Sequence, residues 1–104
     1  MSHGDPLTRV QILCIDDDPD VLAGLQLSLR GFGEVSVAAD GESGLRLAAE
    51  LPDLAVVLCD MRMPGRAGDE VLARFRQQRP LVTRLLLTGY SDMNAAIRAI
   101  NQGR

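Results

Sequence analysis

The chain contains no lysine: all 11 of its basic residues are arginine. Schiff-base chemistry and a lysine clamp on phosphate are thereby excluded for these residues. Cysteine is equally scarce. Cys14 and Cys59 each sit inside an apolar run, where a buried reduced thiol is expected rather than a disulfide or half of a metal site. The single histidine, His3, falls in the polar stretch 1–8, read as an N-terminal tail. No apolar run reaches transmembrane length, and the N-terminus lacks the charged segment, apolar segment and small-residue cleavage site of a secretory signal. The expected location is therefore cytoplasmic, without membrane association. The arginines are dispersed and outnumbered by 14 acidic residues, for a formal charge of −3. A basic face for nucleic acid is thus missing, and direct nucleic-acid contact is not expected.

A chain of 104 residues with 46% hydrophobic content suits one domain with one core. From Val10 onward, short runs rich in branched residues alternate with longer segments of helical spacing, the pattern of βα units around a parallel sheet. The first strand is read over 10–15. Asp18 then caps a helix beginning at Pro19, with an inward stripe of Val21, Leu22, Leu25 and Leu29 and a stop at Gly31. A second strand is read over 34–38. Asp40 and Gly41 open a second helix that carries Leu45, Ala48 and Leu51 until Pro52. The continuous apolar run 54–59 suits a central strand covered on both faces and ends at Asp60. A loop containing Met61, Met63, Pro64, Gly65 and Gly68 leads into a third helix over 69–78, with Val71, Leu72 and Phe75 inward. A fourth strand follows over 84–87. A fourth helix, capped by Ser91 or Asp92, carries Ala96, Ile97 and Ile100 and stops at Gly103.

Function in an open parallel sheet gathers beyond the carboxyl ends of the strands. There the first strand delivers Asp16, Asp17 and Asp18, the third Asp60 and the fourth Thr88. If strands one and three are neighbours, at least three carboxylates crowd together, and a divalent cation is the simplest neutraliser. The donors are all oxygens, which selects a hard ion such as Mg²⁺ over Zn²⁺ or Cu²⁺. A carboxylate beside such an ion can act as a nucleophile toward phosphorus, which is the sharper reading of Asp60. On position alone, a second reading stands beside it: Asp16 to Asp18 cap a helix and Asp60 ends a strand.

The strings Ile12-Leu-Cys-Ile-Asp-Asp-Asp-Pro, Leu58-Cys-Asp-Met-Arg-Met-Pro-Gly and Leu86-Leu-Thr-Gly-Tyr, in this order and spacing, resemble the receiver domain of bacterial two-component response regulators. The resemblance implies a flavodoxin-like α/β fold and a phosphoryl group accepted by Asp60 from a sensor histidine kinase or phosphotransfer protein. It implies Mg²⁺ held by the carboxylates of Asp17 and Asp60 and the backbone carbonyl of Arg62, with Asp16 acting through water. Thr88 matches the hydroxyl residue that contacts the phosphoryl oxygen and acts as a switch, and Gly89 keeps the approach clear. Tyr90 belongs either to the moving surface or to an ordinary helix entrance. The stretch from Leu87 through Gly103 is similar to receivers fused to cyclic-dinucleotide phosphodiesterases or other enzymatic modules, rather than to DNA-binding regulators.

The sequence also departs from that pattern. Receivers continue into a fifth strand ending in a lysine and a fifth helix, whereas this chain stops at Arg104 and has no lysine. The expected architecture is therefore a parallel sheet of order 2-1-3-4 over residues 9–104, C-terminally incomplete, with the output domain lost with the C-terminus. Phosphotransfer is expected to be slow or undetectable even where Mg²⁺ binds. An uncovered fourth strand, exposing Leu85 and Leu87, or the helix-four face would favour a homodimer. The alternative functions are a phosphorylation-independent interaction or dimerisation module and, less fittingly, a Mg²⁺-dependent phosphatase with an aspartyl nucleophile. Turnover of a metabolite, as in an enzyme, is not expected.

Overall fold

Branched and apolar runs become strands, and the first two strands are each followed by a helix with an aspartate cap. The computed structural model describes residues 10–60 and 68–87. The expected tail 1–8, the loop after Asp60 and the fourth helix lie outside the described residues. In chain order the elements are β1 (Gln11–Ile15), α1 (Pro19–Leu29), β2 (Glu34–Ala38), α2 (Gly41–Ala48), β3 (Leu54–Asp60), α3 (Gly68–Gln78) and β4 (Thr83–Leu87).

Asp18 and Asp40 cap the first two helices, while the cap expected at Ser91 or Asp92 lies outside the described residues. The N–H of Asp20 donates to Asp18 Oδ1 at 2.9 Å, with Pro19 in the first turn of α1. The N–H of Ser43 donates to Asp40 Oδ1 at 2.8 Å at the start of α2. Each carboxylate satisfies a backbone donor that the helix itself leaves unpaired. The hydrogen bond from Ser43 also holds the Asp40 carboxyl below the usual carboxylate range.

The four strands form one parallel sheet of order β2-β1-β3-β4, as expected. The β1–β3 register runs Gln11↔Leu54 and then Ile12↔Val56, so Ala55 is an extra residue on β3. From there Ile15 pairs with Cys59, which brings the ends of β1 and β3 level at the carboxyl rim.

The sheet is covered on both faces. Leu22, Leu25 and Leu29 of α1 pack with Ile12, Cys14, Val56 and Leu58 on one side. On the other, Ala48 of α2 and Val71 and Phe75 of α3 pack with Leu13, Ile15, Val57 and Cys59. Such two-sided burial explains why β3 is apolar without alternation. Cys14 and Cys59 are free and buried on opposite faces, so no disulfide can join them without rebuilding the sheet.

Several details differ from the sequence reading, beginning with β1, which starts at Gln11, one residue later than expected, and β3, which includes Asp60. Val21 is 40% exposed, because it lies one residue, or about 100°, around the helix from Leu22 and off the stripe set by Leu22, Leu25 and Leu29. Leu51 is half-buried but follows the end of α2, whose cap is Ala49. Strand β4 begins at Thr83 and α3 at Gly68, each one residue earlier than expected. Strand β4 is an edge of the sheet among the described residues, and its Leu85 and Leu87 are half-buried, packing toward the α1-side core. No helix among these residues is long and apolar enough to cross a membrane.

Candidate functional site

Because Ile15 and Cys59 are partners across β1 and β3, the next residue of each strand projects over the same carboxyl rim. One carboxylate oxygen from each of Asp16, Asp17 and Asp60 lies within 4.8 Å of the others. The neighbouring strands therefore bring together the residues that the sequence reading required to meet. No other such trio of acidic, histidine or cysteine side chains occurs among the described residues.

The three carboxylates are not equivalent. Asp16 is 6% exposed, Asp60 is half-buried and Asp17 is open to solvent. The Asp16 carboxyl is raised above its ordinary range, chiefly by burial and further by the negative charges of Asp60, Asp17 and Asp18. One local contact opposes that rise: the N–H of Asp18 donates to Asp16 Oδ1 at 2.9 Å. The same bond fixes the direction of the Asp16 side chain, while Asp18 turns its own carboxylate to the cap of α1. Its expected role as a cap is thus the one it fills. The backbone of Asp16 is held from the other side, its N–H donating to the carbonyl of Ala38 at 3.1 Å.

A cluster of this kind fits a hard cation. Oxygens bound to an octahedral Mg²⁺ at about 2.0–2.1 Å lie no more than about 4.2 Å apart. Oxygens within 4.8 Å reach a shared ion after small side-chain shifts, or through one intervening water. The donors are carboxylates alone. Neither thiol competes, since burial, reinforced by Asp16 for Cys14 and by Asp60 and Asp16 for Cys59, pushes both up to about 12. A soft-metal site is therefore disfavoured by the ligand set.

Strand β4 delivers its last residue, Leu87, beside Asp60 in the β3–β4 register. The expected contributions of Thr88 and of the Arg62 carbonyl lie outside the described residues, as do those of Gly89 and Tyr90. Residues Met61, Met63, Pro64 and Gly65 lie outside them too. One neighbour of the site was read only as a loop residue: Gly68, the first residue of α3, lies so close that a Cβ there would meet the carbonyl oxygen of Asp60. The available signal was a glycine opening a helix eight positions after a candidate acceptor. The Cys59 thiol also approaches that carbonyl, donating to it at 3.5 Å.

The family model described as "Response regulator receiver domain" matches residues 12–104. The DNA-binding transcriptional regulator NtrC of Escherichia coli K12 is 33% identical over 99 residues, which cover 93% of this chain and 21% of NtrC. The transcriptional regulatory protein ZraR of the same organism is 34% identical over 96 residues, covering 91% of this chain and 22% of ZraR. The chain thus spans about a fifth of the length of these curated relatives. Among solved structures, the signal receiver domain of an HD domain-containing protein from Pseudomonas fluorescens Pf-5 superposes with a TM-score of 0.72 at 34% identity. That match covers 92% of this chain and 71% of the other. An adenylate cyclase from Rhodopirellula baltica gives a TM-score of 0.73 at 35% identity, covering 91% and 70%. Both DNA-binding and enzyme-named proteins occur among these relatives, so the comparisons do not carry the expected preference for an enzymatic output.

Proposed function

Because the chain belongs to the response-regulator receiver family, we propose that Asp60 is its phosphoacceptor in two-component signalling. In this reading Asp17 and Asp60, with the backbone carbonyl of Arg62, hold Mg²⁺, and Asp16 acts through water. The supporting observation is the meeting of three carboxylate oxygens within 4.8 Å at the ends of adjacent strands. When bound, the ion supplies the positive charge that lets an anionic phosphoryl group approach anionic side chains.

The chain's own residues provide the rest. An Asp60 carboxylate oxygen attacks phosphorus in line, its new O–P bond forming as the bond to the donor breaks and the donor leaves with the bonding pair. Water later cleaves the acyl phosphate and returns the carboxylate. The buried Asp16, oriented by the Asp18 N–H, keeps a directed acceptor at the rim. Thr88, which follows the strand that ends beside Asp60, is the phosphoryl contact and switch. A phosphoryl group adds charge and acceptor oxygens, so it favours the arrangement that brings this hydroxyl closer.

The donor is a sensor histidine kinase or phosphotransfer protein, and the signal passes to an output module outside these residues. We further propose self-association of the chain through β4, which is an edge of the sheet among the described residues and carries the half-buried Leu85 and Leu87. Light scattering showing a concentration-independent monomer mass would contradict that part.

Incubation with acetyl phosphate and Mg²⁺, followed by intact-mass measurement, tests the central reading. We expect one phosphoryl group per chain, none with EDTA and none in Asp60→Asn. With no lysine among the 104 residues, uptake is expected to be about 10²–10³ slower than with a full set of charge-stabilising groups. An unchanged yield in Asp60→Asn would place the acceptor elsewhere.

A further inference from the structure

We infer that Gly68 is a positioning residue for Asp60: its missing side chain lets the start of α3 lie directly against the acceptor's backbone carbonyl. The inference rests on the phosphoacceptor reading of Asp60. A Cβ built on Gly68 meets the Asp60 carbonyl oxygen, lies 2.9 Å from the carbonyl carbon and also lies 2.9 Å from Leu86 Cδ1. The leucine can turn its methyl away, but the carbonyl cannot yield without rotating the peptide that follows Asp60. That rotation moves the Cα of Asp60 and redirects its carboxylate relative to Asp16 and Asp17. Strand β3 is hydrogen-bonded to β1 on one side and β4 on the other, with Asp60 itself paired to Leu87. Displacement is therefore concentrated at the strand end, where the acceptor sits.

The molecule supplies its own control. Gly33 stands to Val10 as Gly68 stands to Asp60, because a Cβ there meets the Val10 carbonyl oxygen and lies 3.1 Å from its carbon. Yet Gly33 and Val10 precede β2 and β1, at the amino end of the sheet. A methyl at either glycine delivers the same kind of insult to a strand, at opposite ends.

The test is the affinity of the full 104-residue chain for Mn²⁺, followed by water-proton relaxation, in Gly68→Ala, Gly33→Ala and Gly68→Ala/Leu86→Ala. Positioning predicts that Gly68→Ala weakens Mn²⁺ binding about tenfold, that Gly33→Ala stays within about twofold despite a comparable loss of thermal stability, and that removing Leu86 does not restore affinity. Equal losses in the two glycine variants, recovery in the double variant, or a Gly68→Ala chain that fails to fold where Gly33→Ala folds would each overturn it. The glycine would then serve packing alone. A parent chain that binds no Mn²⁺ and takes no phosphoryl group refutes the functional reading itself and this inference with it. An active parent with an equally active Gly68→Ala refutes only the role of Gly68.

Discussion

At Asp16, burial and charge act in the same direction. The carboxyl is taken out of water and faces Asp60, Asp17 and Asp18, so its folded-state pKa lies above its ordinary value. Below the unfolded-state value of about 3.9, both states hold the proton and the residue costs nothing. As pH rises through the window up to the raised folded value, the unfolded chain releases its proton first, and stability falls. Asp16→Asn keeps an Oδ1 to accept from the Asp18 N–H but removes the charge. It is expected to raise the melting temperature at pH 7 in EDTA, to give no gain at pH 3, and to weaken Mg²⁺ binding. Thermal melts at the two pH values check this, and a lower melting temperature at pH 7 would contradict it. The thiols give a second residue-scale expectation. Cys14 and Cys59 are buried and pushed up to about 12, chiefly by burial, and only the thiolate is an effective nucleophile. Excess iodoacetamide at pH 8 should leave both unmodified in the folded chain and alkylate both in denaturant.

Between elements, one arginine joins two loops. The guanidinium of Arg79, just after α3, donates to the carbonyls of Ala48 at 2.8 Å, Leu51 at 3.0 Å and Pro52 at 3.3 Å. These groups lie at and beyond the C-terminus of α2, where carbonyls lack helical partners and a positive charge is favoured. Arg79→Ala is expected to cost about 1–3 kcal/mol, measured by urea denaturation, with Mg²⁺ affinity nearly unchanged because the contact sits far from the carboxyl rim. This contact was not legible in the sequence: it spans 31 residues for Ala48 and carries no local motif. The caps at Asp18 and Asp40 were legible, since each is a local exchange between a carboxylate and a nearby N–H. The extra residue at Ala55 was not, because a bulge depends on register with β1. Val21 was misplaced for a related reason, as hydrophobicity names candidates for a stripe while the geometry of the leucines selects its centre.

At the level of the whole molecule, the alternation of strands and helices followed from periodicity, whereas strand order came from resemblance to a family and was then met by the observed β2-β1-β3-β4 sheet. The acidic trio was legible residue by residue from position, and as one shared site only through that resemblance. Its existence hung on β1 and β3 being neighbours, which no spacing in the chain declares. Because the trio forms only in the folded state, Mg²⁺ should stabilise the whole domain by mass action, by about 2.7 kcal/mol at 100 times its Kd. That corresponds to roughly 10–20 °C for a domain of this size. Melts with Mg²⁺ and with EDTA check the shift, which should largely vanish in Asp60→Asn.

Most directly, the acceptor can be trapped chemically. Borohydride reduces an aspartyl phosphate to homoserine, so treatment after incubation with acetyl phosphate and Mg²⁺, followed by peptide sequencing, reads which side chain carried the phosphoryl group. Homoserine at position 60 alone, absent when EDTA replaces Mg²⁺, is the expected result. Homoserine at position 16 or 17, or an equal yield at position 60 without the metal, would contradict the account.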